Sequence, residues 1–123
     1  MRLRRKPWID EAIHEYDSHI ILENHGEHKG KWRELFEDPT KPLYMELGTG
    51  KGRFIAGMAE EHPEANFVGF EVQMGVIYYA AQKLYERNLS NAKVALFDIA
   101  GIEDIVESGE VDHFYITFYH LCP

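Results

Sequence analysis

Three acidic side chains, each at the end of a short apolar run, have the types and spacing to bind a cationic ligand. Glu46 and Glu71 close the first two runs, and Asp98 follows the third. A single acid after a strand is often a helix N-cap or a solvated turn residue. If the runs are neighbouring parallel strands, however, their carboxyl ends meet at one edge of the sheet, where α/β folds bind ligands. We therefore predict a ligand site at that edge.

A glycine-rich turn follows the first run. Gly48, Gly50 and Gly52 alternate with other residues directly after Glu46, and without a Cβ their backbone can approach a ligand closely. The resulting pattern, E-x-G-x-G-x-G, resembles motif I of S-adenosylmethionine-dependent methyltransferases, whose ligand carries a sulfonium and an ammonium. A glycine-rich strand-to-helix turn without any ligand is the alternative.

Two phosphate-binding interpretations of this turn are weaker. The dinucleotide pattern G-x-G-x-x-G needs its third glycine one position later, where this chain has Arg53. A nicotinamide dehydrogenase is therefore disfavoured. The P-loop pattern needs Ser or Thr after its Gly-Lys pair, and here Lys51 precedes Gly52.

Alternating apolar runs and helical periodicities predict an α/β fold. Strand, helix, strand, helix, strand, short helix and strand follow one another from residue 43, which indicates a parallel sheet of about four strands with flanking helices, Rossmann-like in arrangement. The predicted strands are 43–47, 66–71, 93–97 and 111–118. Residues 10–28 show no clean period and are interpreted as irregular or partly helical. We divide the chain into a basic arm with a helical segment, 1–42, and a ligand-binding domain, 43–123.

The net charge of −8 argues against a polyanionic partner, but it is unevenly spread. Residues 43–123 carry five Lys and Arg against twelve Asp and Glu, whereas the first six residues hold four positive charges beside Trp8. Such an arm could lie along a phosphate backbone, although a solvated terminus is the more common explanation.

Composition favours a protein of a reducing compartment. The 123 residues include one cysteine, Cys122, and no apolar run of 18 residues. The basic opening residues are followed by Pro7 and Trp8 rather than by the apolar core of a signal sequence. We expect a cytoplasmic protein without a membrane partner.

Four nearby histidines invite a metal-site interpretation, which we reject. His14, His19, His25 and His28 have no cysteine or third ligand at zinc-site spacing, and Gly26 interrupts any helix that would align the last two.

Several longer stretches make the chain similar to a known family. They are MRLRRKPW at the start, KGKW at 29–32, ELGTGKGRF from Glu46, FVGFE ending at Glu71, the DIA turn at Asp98 and GEVDHFYI from Gly109. Together they resemble the bacterial tRNA (guanine-N7)-methyltransferases. The resemblance implies a class I methyltransferase fold, S-adenosyl-L-methionine as cofactor, tRNA as substrate and 7-methylguanosine as product.

By the same resemblance, the three acids and three glycines take cofactor-contact positions. We expect Glu71 to bind ribose hydroxyls, Asp98 to face the adenine amine and Glu46 to lie near the sulfonium, with Gly48 and the two glycines after it forming the turn.

The last residues depart from the family pattern. Where family members have NFSDPWP, this chain has TFYHLCP, so His120 occupies the position of the catalytic aspartate. Family members continue with further strands and helices, which suggests that C-terminal strands are missing here through truncation or a frameshift.

This departure predicts weak catalysis. A carboxylate at position 120 would stabilise the positive charge that forms on the purine, whereas a neutral His offers less and a protonated one opposes it. We expect a weakly active or inactive form of the enzyme, and a possible homodimer through an exposed sheet edge. The alternative is a non-catalytic S-adenosylmethionine or nucleoside-binding module or subunit.

Overall fold

The computed structural model of the chain describes residues 6 to 117 and shows a five-stranded sheet with helices on both faces. All strand pairs are parallel, in the order β1-β4-β3-β2-β5. The strands are β1 (Ile20–Ile21), β2 (Leu43–Leu47), β3 (Asn66–Glu71), β4 (Ala92–Leu96) and β5 (His113–Ile116). The α-helices are α1 (Ile9–Ala12), α2 (Arg53–Glu61) and α3 (Met74–Glu86); 3-10 helices span Ile13–Tyr16, His25–His28, Trp32–Leu35 and Ile99–Asp104.

Two apolar cores sandwich this sheet because side chains alternate between its faces. In β3, Phe67 packs on the face covered by α2 and α3, whereas Val68 and Phe70 pack on the other. Trp32 is fully buried on that second face, where its Nε1–H donates to the carbonyl of Ile105 at 2.7 Å. A parallel sheet covered on both faces needs such nearly continuous apolar strands.

The chain order places a topological switch at the carboxyl end of β2. From β2 the chain moves one way to β3 and β4, and then returns to place β5 on the opposite side of β2. Crossover connections leave in opposite directions at this point, which opens a crevice where doubly wound sheets bind ligands. Glu46 and Gly48 lie at this switch.

The predicted α/β, Rossmann-like fold is confirmed, with one strand more than expected. β1 pairs in register with β4, Ile20 opposite Val94. The two residues of β1 are too few to show the alternation of a strand, so residues 10–28 were predicted to be irregular or partly helical. The third strand begins one residue earlier than predicted. The fourth strand is shorter than 111–118. The short helix predicted between the last two strands is a 3-10 helix that begins at Ile99.

The leading segment packs into the same structure as the rest. Ile9 and Ile13 are buried in the core beneath α3, and β1 extends the sheet. The division at residue 42 stays a prediction. Between residues 6 and 117, none of the helices has the length and apolar character needed to span a bilayer.

Candidate functional site

A small cleft of about 220 Å³ opens at the carboxyl edge of the sheet. The ends of β2, β3 and β4 contribute to it, so residues far apart in sequence share one wall. Gly48, Glu71 and Asp98 are among the lining residues, which places two of the three predicted acids and one predicted glycine at a common cleft. The others are Phe70, Val72, Gln73, Phe97 and Ile99.

The glycine turn crosses from β2 to the neighbouring strand. The amides of Gly48 and Thr49 both donate to the carbonyl of Phe70, at 3.0 and 2.7 Å. Gly48 has φ +83° and Gly50 has φ +59°. An L side chain rarely adopts this left-handed region, so the turn requires glycine there for its backbone shape alone.

Glu71 ties the end of β3 to the glycine turn. Its Oε1 accepts from the Gly50 amide at 2.9 Å, and its Oε2 accepts from the amides of Val72 and Gln73 at 3.1 Å each. A carboxylate offers about four acceptor positions. Three are therefore used within the protein, and a ligand hydroxyl would occupy the fourth or replace an amide.

Asp98 caps the 3-10 helix that follows β4. Its Oδ1 accepts from the Ala100 amide at 2.9 Å, and the side chain is exposed at the cleft. The N-cap function and a ligand contact are compatible, because the bond to Ala100 uses only one of the two carboxylate oxygens.

Glu46 has a different environment, buried behind the turn rather than lining the cleft. It is 3% exposed and accepts hydrogen bonds from the hydroxyls of Thr49 and Thr117. Burial raises the pKa of Glu46, the two hydroxyl donors oppose that rise, and the negative charge of Glu71 adds to it. The carboxyls of Glu46 and Glu71 are thus close enough to interact.

Gly52 is explained by helix packing. It has φ +83° and precedes α2, and a Cβ there would lie 2.9 Å from the Cα and Cβ of Ala80 in α3. Its predicted contact with a cofactor stays a prediction. His120 falls outside the described residues.

The histidines that invited a metal site make other contacts. His19 and His25 bond through Nε2 to the carbonyls of Leu89 and Ile21, at 3.1 and 3.2 Å. His14 lies 3.1 Å from Asp17. Within residues 6–117, no group of three potential ligands is arranged to bind a metal.

Residues 40–120 match a known protein family. The model of a family described as "Putative methyltransferase" matches residues 40 to 120, about two thirds of the chain. The chain belongs to this methyltransferase family.

Named relatives agree with that membership. The tRNA (guanine-N(7)-)-methyltransferase of Bacillus subtilis (strain 168) is 39% identical over 118 residues, which are 96% of this chain and 54% of that protein. The protein of the same name from Streptococcus agalactiae serotype III (strain NEM316) is 36% identical over 118 residues, 96% of this chain and 55% of that protein. The chain spans about half the length of the curated relatives it matches.

Solved structures agree on the fold. The bifunctional kinase-methyltransferase WbdD aligns with 96% of this chain and 23% of its own, at a TM-score of 0.56 and 20% identity. At that identity the likeness concerns the fold alone.

The sequence analysis of this methyltransferase-family chain did not predict the contributions of Thr49 and Gly69 to the site. Gly69 lies opposite Glu46 in the register of β2 and β3, and a Cβ there would come within 2.0 Å of the Thr49 hydroxyl oxygen. The missing Cβ makes room for Thr49, which is 3% exposed and bonds Glu46. A glycine inside an apolar strand often marks such a close approach, so the signal was present.

Proposed function

We propose that this chain binds S-adenosyl-L-methionine at the carboxyl edge of its sheet and acts as a weakly active tRNA (guanine-N7)-methyltransferase. The observation that carries the proposal is 36–39% identity over 96% of the chain to enzymes of that name. Residues 43–123 form the proposed cofactor-binding part. Residues 1–42 are proposed as a basic arm and helical segment.

The hydrogen-bond acceptors at the cleft fit the adenosyl end of this cofactor. Glu71 and Asp98 provide carboxylate oxygens that accept hydrogen bonds from ribose hydroxyls and from an exocyclic amine. Phe97 and Ile99 provide apolar surface beside them for a purine. A cleft of 220 Å³ is smaller than the roughly 300–1,000 Å³ of common ligand pockets. The described residues would therefore enclose one end of the cofactor, with Gly48 and Gly50 leading toward the other.

The chemistry requires positioning more than proton transfer. When bound, the cofactor supplies a methyl group on a positively charged sulfur. Guanine N7 has an in-plane lone pair and needs no base, so the protein must align it with the methyl and stabilise the charges involved. Glu46, near Glu71 and at the switch point, would favour a cation nearby, because a positive charge offsets the cost of ionising a buried carboxyl.

The proposal includes a location and partners. We propose that the enzyme acts on tRNA in the cytoplasm. A homodimer through the edge strand β5 is the proposed assembly.

Two measurements on the same preparation test this function. Isothermal titration with S-adenosylhomocysteine reports cofactor binding, and transfer of a labelled methyl group to bulk tRNA, followed by nucleoside analysis, reports 7-methylguanosine. We expect one S-adenosylhomocysteine per chain and a low yield of 7-methylguanosine. Binding without any transfer would favour the non-catalytic module, and absence of binding would contradict both.

Charge-removing variants locate the binding. Asp98→Asn retains an oxygen for the Ala100 amide, whereas Glu71→Gln retains only one of the two oxygens that accept the three amides. Both should weaken S-adenosylhomocysteine binding. Glu37→Gln removes the same charge from an exposed position before β2 and serves as the control. Equal affinities in all three variants would place the ligand elsewhere.

A further inference from the structure

The positively charged residues of the glycine-bearing part gather on one side of the molecule. Lys51, Arg53, Lys83 and Arg87 are four of the five Lys and Arg in residues 43–123, a stretch that carries twelve acids. Lys93, the fifth, instead donates to the carbonyl of Ser18 at 2.6 Å. An acidic domain that collects its cations in one place has a localised positive surface, which is the electrostatic footprint of a phosphate-bearing partner.

Helix α3 carries two of these cations in line with Tyr79. Tyr79, Lys83 and Arg87 follow at intervals of four, with Arg87 directly after the last helical residue, so the three share one side of the helix. Successive members rise about 6 Å along the axis. They line a groove of about 340 Å³ together with Lys51, Gln82 and Glu86.

Lys51 connects this row to the cofactor turn. Its Nζ lies 5.5 Å from the centre of the Tyr79 ring, a cation–π contact that holds the amine above α3. Lys51 directly follows Gly50, whose amide binds Glu71 at the cofactor cleft. The row therefore begins beside the predicted cofactor site and runs along α3 away from it.

The cations are close enough to repel one another. Partial burial lowers the pKa of Lys83 first of all, and the positive charges of Arg87, Arg53 and Lys51 lower it further. Like charges held close together are unfavourable, and a further anion placed among them reduces that cost.

We propose that the row formed by Lys51, Lys83 and Arg87, the α3 cation row, binds the sugar-phosphate backbone of tRNA beside the cofactor turn. This inference rests on the proposed function and assigns the surface that holds its substrate. Flexible cations on an exposed helix contact phosphates without reading bases. The row thus orients tRNA rather than selecting a nucleotide.

Two acids border the row and make a sharper test possible. Glu60 in α2 accepts from Arg87 at 2.8 Å, and Glu86 lines the same groove. Both partners of the Arg87–Glu60 pair are about half exposed, so a phosphate can compete with Glu60 for the guanidinium. Removing the Glu60 charge should therefore strengthen RNA binding.

The experiment measures the affinity of the full chain for bulk tRNA by fluorescence anisotropy between 50 and 200 mM salt. Lys83→Gln and Arg87→Gln should each weaken binding by about three- to tenfold at low salt and reduce the slope of log K against log salt by about one unit. Glu60→Gln should tighten binding. S-adenosylhomocysteine affinity should stay at the wild-type value in all three variants.

Lys31→Gln is the matched control. Lys31 is exposed and precedes the 3-10 helix Trp32–Leu35, which packs on the opposite face of the sheet from α3. Lys31→Gln removes the same charge as Lys83→Gln, but from a position away from the α3 cation row. The tRNA affinity of Lys31→Gln should therefore fall much less than that of Lys83→Gln.

Outcomes separate this inference from the function on which it rests. If the wild-type chain binds tRNA, and Lys31→Gln and Lys83→Gln lose tRNA affinity equally, the α3 cation row is overturned. The methyltransferase proposal is then left intact. Weaker binding in Glu60→Gln would also overturn it. Absence of tRNA binding by the wild-type chain would contradict both.

Discussion

Glu46 and Glu71 end neighbouring strands of the same sheet, yet their surroundings differ. Three backbone amides hold Glu71 at the cleft, whereas Glu46 is enclosed by Thr49 and Thr117. The first arrangement fixes a carboxylate where a neutral group of the ligand, such as a ribose hydroxyl, can donate a hydrogen bond to it. The second holds a carboxyl whose ionisation is opposed by burial, so its charge responds to a nearby cation.

Burial of Glu46 predicts a pH-dependent stability difference. Because the folded protein raises the pKa of Glu46, ionisation costs stability as pH rises from the ordinary glutamate value through the raised one. Glu46→Gln cannot ionise. The melting temperature of Glu46→Gln relative to wild type should therefore increase across that pH window and level off above it.

Thermal melts from pH 4 to pH 8 check this expectation, with Glu37→Gln as the control for the loss of an exposed carboxylate. A relative melting temperature of Glu46→Gln that falls as pH rises would contradict the burial argument.

At the scale of elements, the turn between β2 and α2 depends on close approaches from two other elements. Gly69 of β3 leaves space for Thr49, and Gly52 lets α2 pack against Ala80 of α3. These contacts link the shape of the turn to the sheet and to the helix behind it.

Gly69→Ala should therefore destabilise the protein by about 1–3 kcal/mol, because its Cβ would come within 2.0 Å of the Thr49 hydroxyl oxygen. It should also weaken S-adenosylhomocysteine binding through the displaced turn. Denaturant titration and calorimetry measure the two effects.

Gly57→Ala is the matched control. Gly57 lies inside α2, and beyond its chain neighbours and the adjacent helix backbone no atom lies within 4 Å of an added Cβ. Alanine is the better helix former by about 0.5–1 kcal/mol, so this variant should be stabilised. A stability of Gly69→Ala equal to or above wild type would contradict the packing described for Thr49.

The sequence predicted the elements that carry strong periodic signals and the acids at their ends. Runs such as Asn66–Glu71 are nearly all apolar because they are buried on both faces, and the positive φ of Gly48 follows from a tight turn. β1 was missed because two residues hold no period. The enclosed environment of Glu46 was missed because one of its hydrogen-bond partners, Thr117, lies 71 positions away in the chain.

For the molecule as a whole, β5 is an edge strand of the sheet formed by residues 6–117, and it exposes apolar side chains. In β5, Phe114 is 42% exposed and Ile116 is 62% exposed, whereas interior strands such as β3 are almost wholly buried. An edge strand with exposed apolar side chains can pair with another chain.

Self-association through β5 thus stays a prediction with a direct test. Sedimentation velocity should show a dimer that dissociates on dilution, and Ile116→Lys should shift the equilibrium to monomer by placing a charge at the edge. A wild-type chain that remains monomeric at high micromolar concentration would contradict this assembly.

The proposed cofactor site is the cleft between Gly48, Glu71 and Asp98. Backbone amide chemical shifts of the 14.3 kDa chain, recorded during titration with S-adenosylhomocysteine, show whether the ligand binds there. We expect saturable shifts at Gly48, Gly50 and the residues after β3 and β4. Shifts confined to the larger clefts, beside Met58 or beside Ser108, or no shifts at all, would contradict the claim.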